Sequence, residues 1–192
     1  MGLTIEKCLQ AWTNSLKQMN AKADIVFFGD SLIYYGDFAS LFPNKVVCNL
    51  GLRGDTVQGL INRVEQVKKL EPKTVYLMVG INDVTTSSIV EFSSNYNTLI
   101  QELKNQAPEL SLVLQSILPV NNLCFDISCN NRLISLYNKR IEDIAKQYNL
   151  RFIDLYSEFV KDGVLPLELT IDGIHLRQEA YNKWYDLLRY ID

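Results

Sequence analysis

Histidine is almost missing from this chain: His175 is the only one in 192 residues. With a single imidazole and no C-x-x-C pair, a zinc site of Cys and His ligands is not expected. The four cysteines, at 8, 48, 124 and 129, are too scattered for a disulfide framework. Cys48 lies in the apolar run V-V-C-N-L and reads as a small buried hydrophobe, and Cys124 and Cys129 share a polar loop, where they could pair under oxidation but are expected as free thiols. Charge is also unremarkable in sign. A formal net charge of −3 and a pI near 5.3 leave no basic footprint for nucleic acid, and nucleic-acid binding is disfavoured. No apolar run approaches the roughly 18 residues of a membrane span. The opening MGLTIEKCLQAW has no basic flank ahead of an apolar core, so a signal peptide is not expected and a reduced, cytoplasmic setting is. Position 6 is Glu where N-myristoylation wants Ser or Thr. Gly/Ser linkers, charge blocks and internal repeats are absent too, so residues 1–192 read as one domain.

What is present is a rhythm. Short apolar runs at 25–28, 46–50, 74–79, 112–117 and 152–155 are rich in β-branched and aromatic residues and mostly lack polar alternation. Strands covered on both faces read this way. Between them the spacing turns helical, along Val57, Leu60, Ile61, Val64 and Val67, then Phe92, Tyr96, Leu99, Ile100 and Leu103. Leu133, Leu136, Tyr137, Ile144 and Tyr148 make a third stripe, and Leu176, Ala180, Trp184, Leu187 and Leu188 a fourth. Ile5, Leu9, Trp12 and Leu16 suggest a further helix over 4–20, packed on the domain. Alternation of this kind implies βαβ units, hence a three-layer α/β/α sandwich around a five-stranded parallel sheet.

In such sheets ligands sit beyond the carboxyl ends of the strands. Those ends carry G-D-S-L (29–32), N-L-G-L-R-G-D-T (49–56) and G-I-N-D (80–83), and after the last strand D-G-I-H (172–175). Each has a plain reading: Ser31 as a helix cap, the glycines as turn formers, Asn82 in an Asx-turn, His175 as a hydrogen-bonded structural residue. Together they supply an acyl-transfer site. Ser31 would be the nucleophile, His175 its base and Asp172 the group that orients the imidazole. The Ser31 and Gly51 N–H groups and the Asn82 amide would receive the oxyanion. G-x-S-x-G, the mark of an ordinary α/β-hydrolase, does not occur.

These four ordered blocks resemble those of the SGNH hydrolase family, the GDSL esterases and lipases. The resemblance runs over residues 25–176. The second block is further similar to the branch holding platelet-activating-factor acetylhydrolases and sugar O-acetylesterases. It implies a flavodoxin-like fold, a small-molecule ester substrate, and the same five residues: Ser31, Gly51, Asn82, Asp172 and His175. It implies no metal and no cofactor, and leaves a homodimer open. Short O-acyl esters are the expected substrates; lysophospholipase or thioesterase action on longer chains, acyl transfer, and a non-catalytic flavodoxin-like binding module are the alternatives.

Around the site, Leu32, Tyr34 and Ile174 are candidates to wall the pocket. Arg53 would bind a polar or anionic leaving group, or pair with Asp55 or Asp83, and the pairing is favoured. Asp30 is expected to hold the turn by accepting a backbone N–H. Leu165, Leu167 and Leu169 would form an apolar wall or anchor their loop, and the irregular stretch 118–131 would set selectivity.

Overall fold

A computed structural model describes residues 22–106 and 109–189. The helix expected over 4–20 lies outside them. Five strands form one sheet: β1 Ile25–Gly29, β2 Val47–Gly51, β3 Thr74–Met78, β4 Ser111–Gln115 and β5 Arg151–Ile153. All four pairings are parallel, in the order β2-β1-β3-β4-β5. This is the flavodoxin-like doubly wound order.

The lack of polar alternation now has its cause. Val26, Phe28, Val75, Leu77, Leu112 and Leu114 enter one buried cluster; Ile25, Phe27, Tyr76, Met78 and Val113 enter the other. The first face is covered by α2 (Val57–Asn62), α3 (Val64–Leu70), α4 (Ile89–Gln106) and α5 (Asn131–Gln147). The second is covered by α1 (Ser31–Tyr34), α6 (Leu155–Phe159) and α7 (Gln178–Arg189). Among the described residues no helix is long and apolar enough to cross a membrane.

Three expectations about elements need correction. The stripe from Val57 to Val67 is two helices, broken at Arg63 (φ −123, ψ 14), whose side chain turns inward to strand-end carbonyls. The buried face of α5 runs through Ile134, Tyr137, Asn138, Ile141 and Ile144, and Leu136 is exposed. Asn138 sets that face: its Oδ1 accepts the Ile117 N–H at 2.7 Å and its Nδ2 donates to the Ile117 carbonyl at 2.8 Å, closing a strand end. Finally, β5 ends at Ile153, because Asp154 caps α6 by accepting the Ser157 N–H.

Candidate active site

The strand ends meet as the parallel topology requires. Gly29 and Gly51, the last residues of β1 and β2, are directly paired, so the G-D-S and N-x-G segments leave the sheet side by side. In the first turn Asp30, not Ser31, caps α1: its Oδ1 accepts the Leu32 N–H at 2.9 Å. The Ser31 hydroxyl is therefore not spent on capping. It lies 3.0 Å from His175 Nε2, although the two are 144 residues apart.

His175 is held by a closed loop. Thr170 and Leu176 form an antiparallel bridge, the Ile171 N–H donates to the His175 carbonyl at 2.9 Å, and the buried Thr170 hydroxyl donates to the same carbonyl at 2.9 Å. Inside the loop Asp172 Oδ2 lies 2.7 Å from His175 Nδ1, while its Oδ1 accepts the N–H groups of Ile174 and His175 at 3.0 and 2.8 Å. Burial pushes the Asp172 carboxyl up, but the hydrogen bonds from the imidazole and the two backbone N–H groups outweigh it, and the carboxyl lies below its ordinary value. It stays an anion where imidazoles titrate, which fixes the proton on Nδ1 and leaves Nε2 to accept one. Ser31 is 7% exposed, whereas the His175 side chain is 32% exposed and that of Asp172 50%, so the serine is recessed and the carboxylate is wetted.

The G-I-N-D turn joins this group through its neighbour. Asn82 Nδ2 donates to the Asp55 carbonyl at 2.8 Å, and the Asp83 carboxylate accepts the Val57 N–H at the start of α2. Block two and block three are thereby one unit. Below it sits Arg63, 4% exposed, bonded to Asp55 Oδ2 at 2.6 Å and donating to the carbonyls of Leu50 (2.8 Å) and Gly29 (2.9 Å). Those carbonyls lie at the ends of β1 and β2, just before both loops of the site. Asp30 and Asp55 are buried beside this guanidinium, and Asp83 is buried near Asp55. Burial pushes Asp30 up to about 7 and Asp83 up to about 6; it also raises Asp55, against the pull of Arg63.

The expected residues do not all keep their expected parts. The Gly51 N–H is already donated to Asn49 Oδ1 at 2.8 Å, and a Cβ there would lie 2.1 Å from the Tyr34 backbone nitrogen. The glycine is needed for close approach to α1, and its donor is occupied. Asn49, whose Nδ2 also donates to the Ile33 and Gly36 carbonyls, gave no signal beyond its place in the motif. Gly54, at φ +73 with open space about its Cα, is the other glycine of the block. Among the described residues no hydrogen bond engages its N–H or that of Ser31.

Leu32 is 1% exposed and belongs to the core, so it does not wall a pocket. Leu165 is likewise fully buried, while Leu167 is exposed. Tyr34 is exposed and Ile174 is partly buried against the first core. Arg53 does not pair with Asp55 or Asp83, because Arg63 holds the first and the Val57 N–H the second. Loop 118–131 is tied down rather than loose: the Asn121 N–H donates to the Gly173 carbonyl at 2.8 Å and its Nδ2 to the Leu165 carbonyl at 2.8 Å. Cys48, Cys124 and Cys129 are free. Sequence reasoning gave no role to Arg63, Tyr35 or Tyr181; the Tyr181 hydroxyl donates to the Leu32 carbonyl at 2.8 Å, docking α7 on α1.

The profile of the GDSL-like lipase/acylhydrolase family matches residues 27–183. Among solved structures, a Streptococcus pneumoniae protein provisionally named as a platelet activating factor superposes with a TM-score of 0.85 at 24% identity, over 95% of this chain and 92% of that one. An acetylxylan esterase from Geobacillus stearothermophilus, Axe2, gives 0.72 at 20% identity, over 88% and 93%. These likenesses concern the fold. An N-acylneuraminate cytidylyltransferase from Streptococcus agalactiae is 24% identical over 162 residues, which are 84% of this chain and 37% of that protein. The chain thus spans little more than a third of that relative's length.

Proposed function

The chain belongs to the GDSL-like lipase/acylhydrolase family, and from that premise we propose that it is a serine esterase removing short acyl groups, above all acetyl, from sugar hydroxyls. The observation that carries the reading is the continuous chain Ser31 Oγ to His175 Nε2 (3.0 Å) and His175 Nδ1 to Asp172 Oδ2 (2.7 Å). Ser31 Oγ attacks the ester carbon as His175 Nε2 takes its proton, and the carbonyl electron pair moves onto oxygen. On collapse the same nitrogen returns the proton to the departing alkoxide, which leaves as the alcohol. Water then repeats the sequence on acyl-Ser31, releasing the acid and restoring the serine. Asp172 holds the imidazole throughout and balances the imidazolium.

For the oxyanion we propose the N–H groups of Ser31 and Gly54 with the Asn82 amide. Gly54 replaces Gly51, whose N–H serves Asn49. Asn82 spends one N–H on the Asp55 carbonyl, which leaves the second for the substrate. Asn82→Ala is expected to lower kcat on the order of 10²- to 10³-fold, with KM moving much less, as one lost oxyanion donor does. Steady-state kinetics on p-nitrophenyl acetate decides it, and an unchanged kcat removes Asn82 from the site.

The short acyl group is supported by where the apolar side chains went. Leu32 and Leu165, which could have lined an acyl channel, are buried in the core. The sugar is supported by the names of similar proteins, an acetylxylan esterase and an N-acylneuraminate enzyme. In a p-nitrophenyl series from acetate to palmitate, kcat/KM should fall about tenfold or more between acetate and butyrate. Acetate should also be released from acetylated xylo-oligosaccharides. A rate that climbs towards palmitate would replace this reading with a lysophospholipase or thioesterase.

A further inference from the structure

Arg53 stands out among the cations of this chain. It is exposed on the turn between β2 and α2, and among the described residues no carboxylate pairs with it. Its guanidinium carbon lies 5.8 Å from the centroid of the Tyr35 ring. Tyr35 in turn meets the His175 imidazole edge to face, with centroids 5.7 Å apart and planes at 88°. Tyr34 packs on Tyr35 in the same manner at 5.1 Å, and both tyrosines are about half exposed. A cation is therefore held one aromatic ring away from the base, on a wet rim, in a protein whose net charge is −3.

We infer that Arg53 and Tyr35 form a subsite for a negatively charged group on the alcohol portion of the ester, so that the enzyme prefers anionic O-acyl substrates. The inference rests on the esterase reading for its chemistry and adds to it the substrate's charge. The side is set by His175: Nε2 hands its proton to the departing oxygen, so the Tyr35 ring, which meets the imidazole edge to face, borders the leaving group. The form of the charge is set by Arg53. A guanidinium resting on a ring face is held at little further entropic cost, and its N–H groups remain in plane to grip a carboxylate or phosphate in two-point fashion. Tyr34 and Tyr35 offer apolar faces to the body of the same group. Arg63, by contrast, is consumed by Asp55 and two carbonyls and cannot serve.

A matched set of acetyl esters tests this: 4-acetoxybenzoate, 4-acetoxyphenyl phosphate and the neutral methyl 4-acetoxybenzoate. The wild-type enzyme should favour the charged esters through KM, and the ratio of charged to neutral kcat/KM should drop about 10- to 100-fold in Arg53→Gln, the range of a hydrogen bond to a charged group. Arg53→Lys should keep part of the ratio and Arg53→Glu should invert it. Half-molar salt should erode the wild-type preference, because the contact is exposed. The two charged esters separate a carboxylate site from a phosphate site. A wild-type ratio near one, or a ratio that Arg53→Gln and Arg53→Glu leave in place, overturns the inference. Titration calorimetry of 4-acetoxybenzoate and its methyl ester into Ser31→Ala, with and without Arg53→Gln, reads the same discrimination without chemistry. Absence of turnover would then overturn the esterase reading alone, and equal calorimetric affinities would overturn this one.

Discussion

Ser31→Ala is expected to lower kcat for acetyl esters on the order of 10⁴- to 10⁶-fold while moving the unfolding midpoint by only a few degrees. The size follows from what Ser31 Oγ does: no other hydroxyl lies within hydrogen-bonding distance of His175 Nε2 among the described residues. The mild stability effect follows from what it does not do. Asp30 caps α1, so the first helical position can take Ala, a good helix former, at the loss of one part-buried hydrogen bond of about 1 kcal/mol. His175→Ala should lose a similar factor, and the double variant no more than the worse single one, because the two act as one device. A rapid-mixing burst of nitrophenolate equal to the enzyme concentration, absent from Ser31→Ala, would reveal the acyl-enzyme. Retention of more than about 1% of the wild-type rate by pure Ser31→Ala would remove the serine from the chemistry.

Much of this arrangement was legible because its determinants are local. Unalternating apolar runs separated by helical spacing lead to a doubly wound parallel sheet, and that topology puts every strand end on one edge. Ser31, Asn82, Asp172 and His175 could be nominated from motif and position alone. What was not legible depends on which of two similar groups wins one partner. Gly51 and Gly54 sit in one turn, and sequence cannot tell which N–H the Asn49 side chain takes. Arg53 and Arg63 both flank Asp55, and Arg63 wins because a break between α2 and α3 turns it inward, where it satisfies two carbonyls as well. The register of α5 was missed for a related reason. Hydrophobic periodicity is blind to Asn138, a buried amide that serves Ile117 twice and so fixes which apolar residues face the sheet.

Arg63 carries the second large effect. Arg63→Met should cost about 3–5 kcal/mol of stability at pH 8, the penalty for removing one partner of a buried ion pair. Asp55 would be left as a buried anion beside Asp30 and Asp83, and the carbonyls of Gly29 and Leu50 would lose a donor. The pH dependence separates these causes. Burial raises Asp30 to about 7 and Asp83 to about 6 in the folded protein, against about 3.9 for an unfolded Asp. The folded state therefore holds more protons than the unfolded state between about pH 4 and 7, so these groups make stability fall as pH rises through that window. Asp172, held below its ordinary value, acts oppositely and only on the acid side, where stability falls as pH drops. Removing Arg63 takes away the charge that favours ionised Asp55 and Asp30, which pushes both carboxyls further up and steepens the fall. Urea denaturation should accordingly find the Arg63→Met deficit smaller at pH 5 than at pH 8, with Asp55→Asn in the same background recovering most of it at pH 8. A deficit equal at both values, untouched by Asp55→Asn, would mean that the guanidinium matters for the two carbonyls and not for the buried charge. In either case kcat should fall with stability, because those carbonyls end the strands from which Ser31 and the Gly51–Gly54 turn are hung.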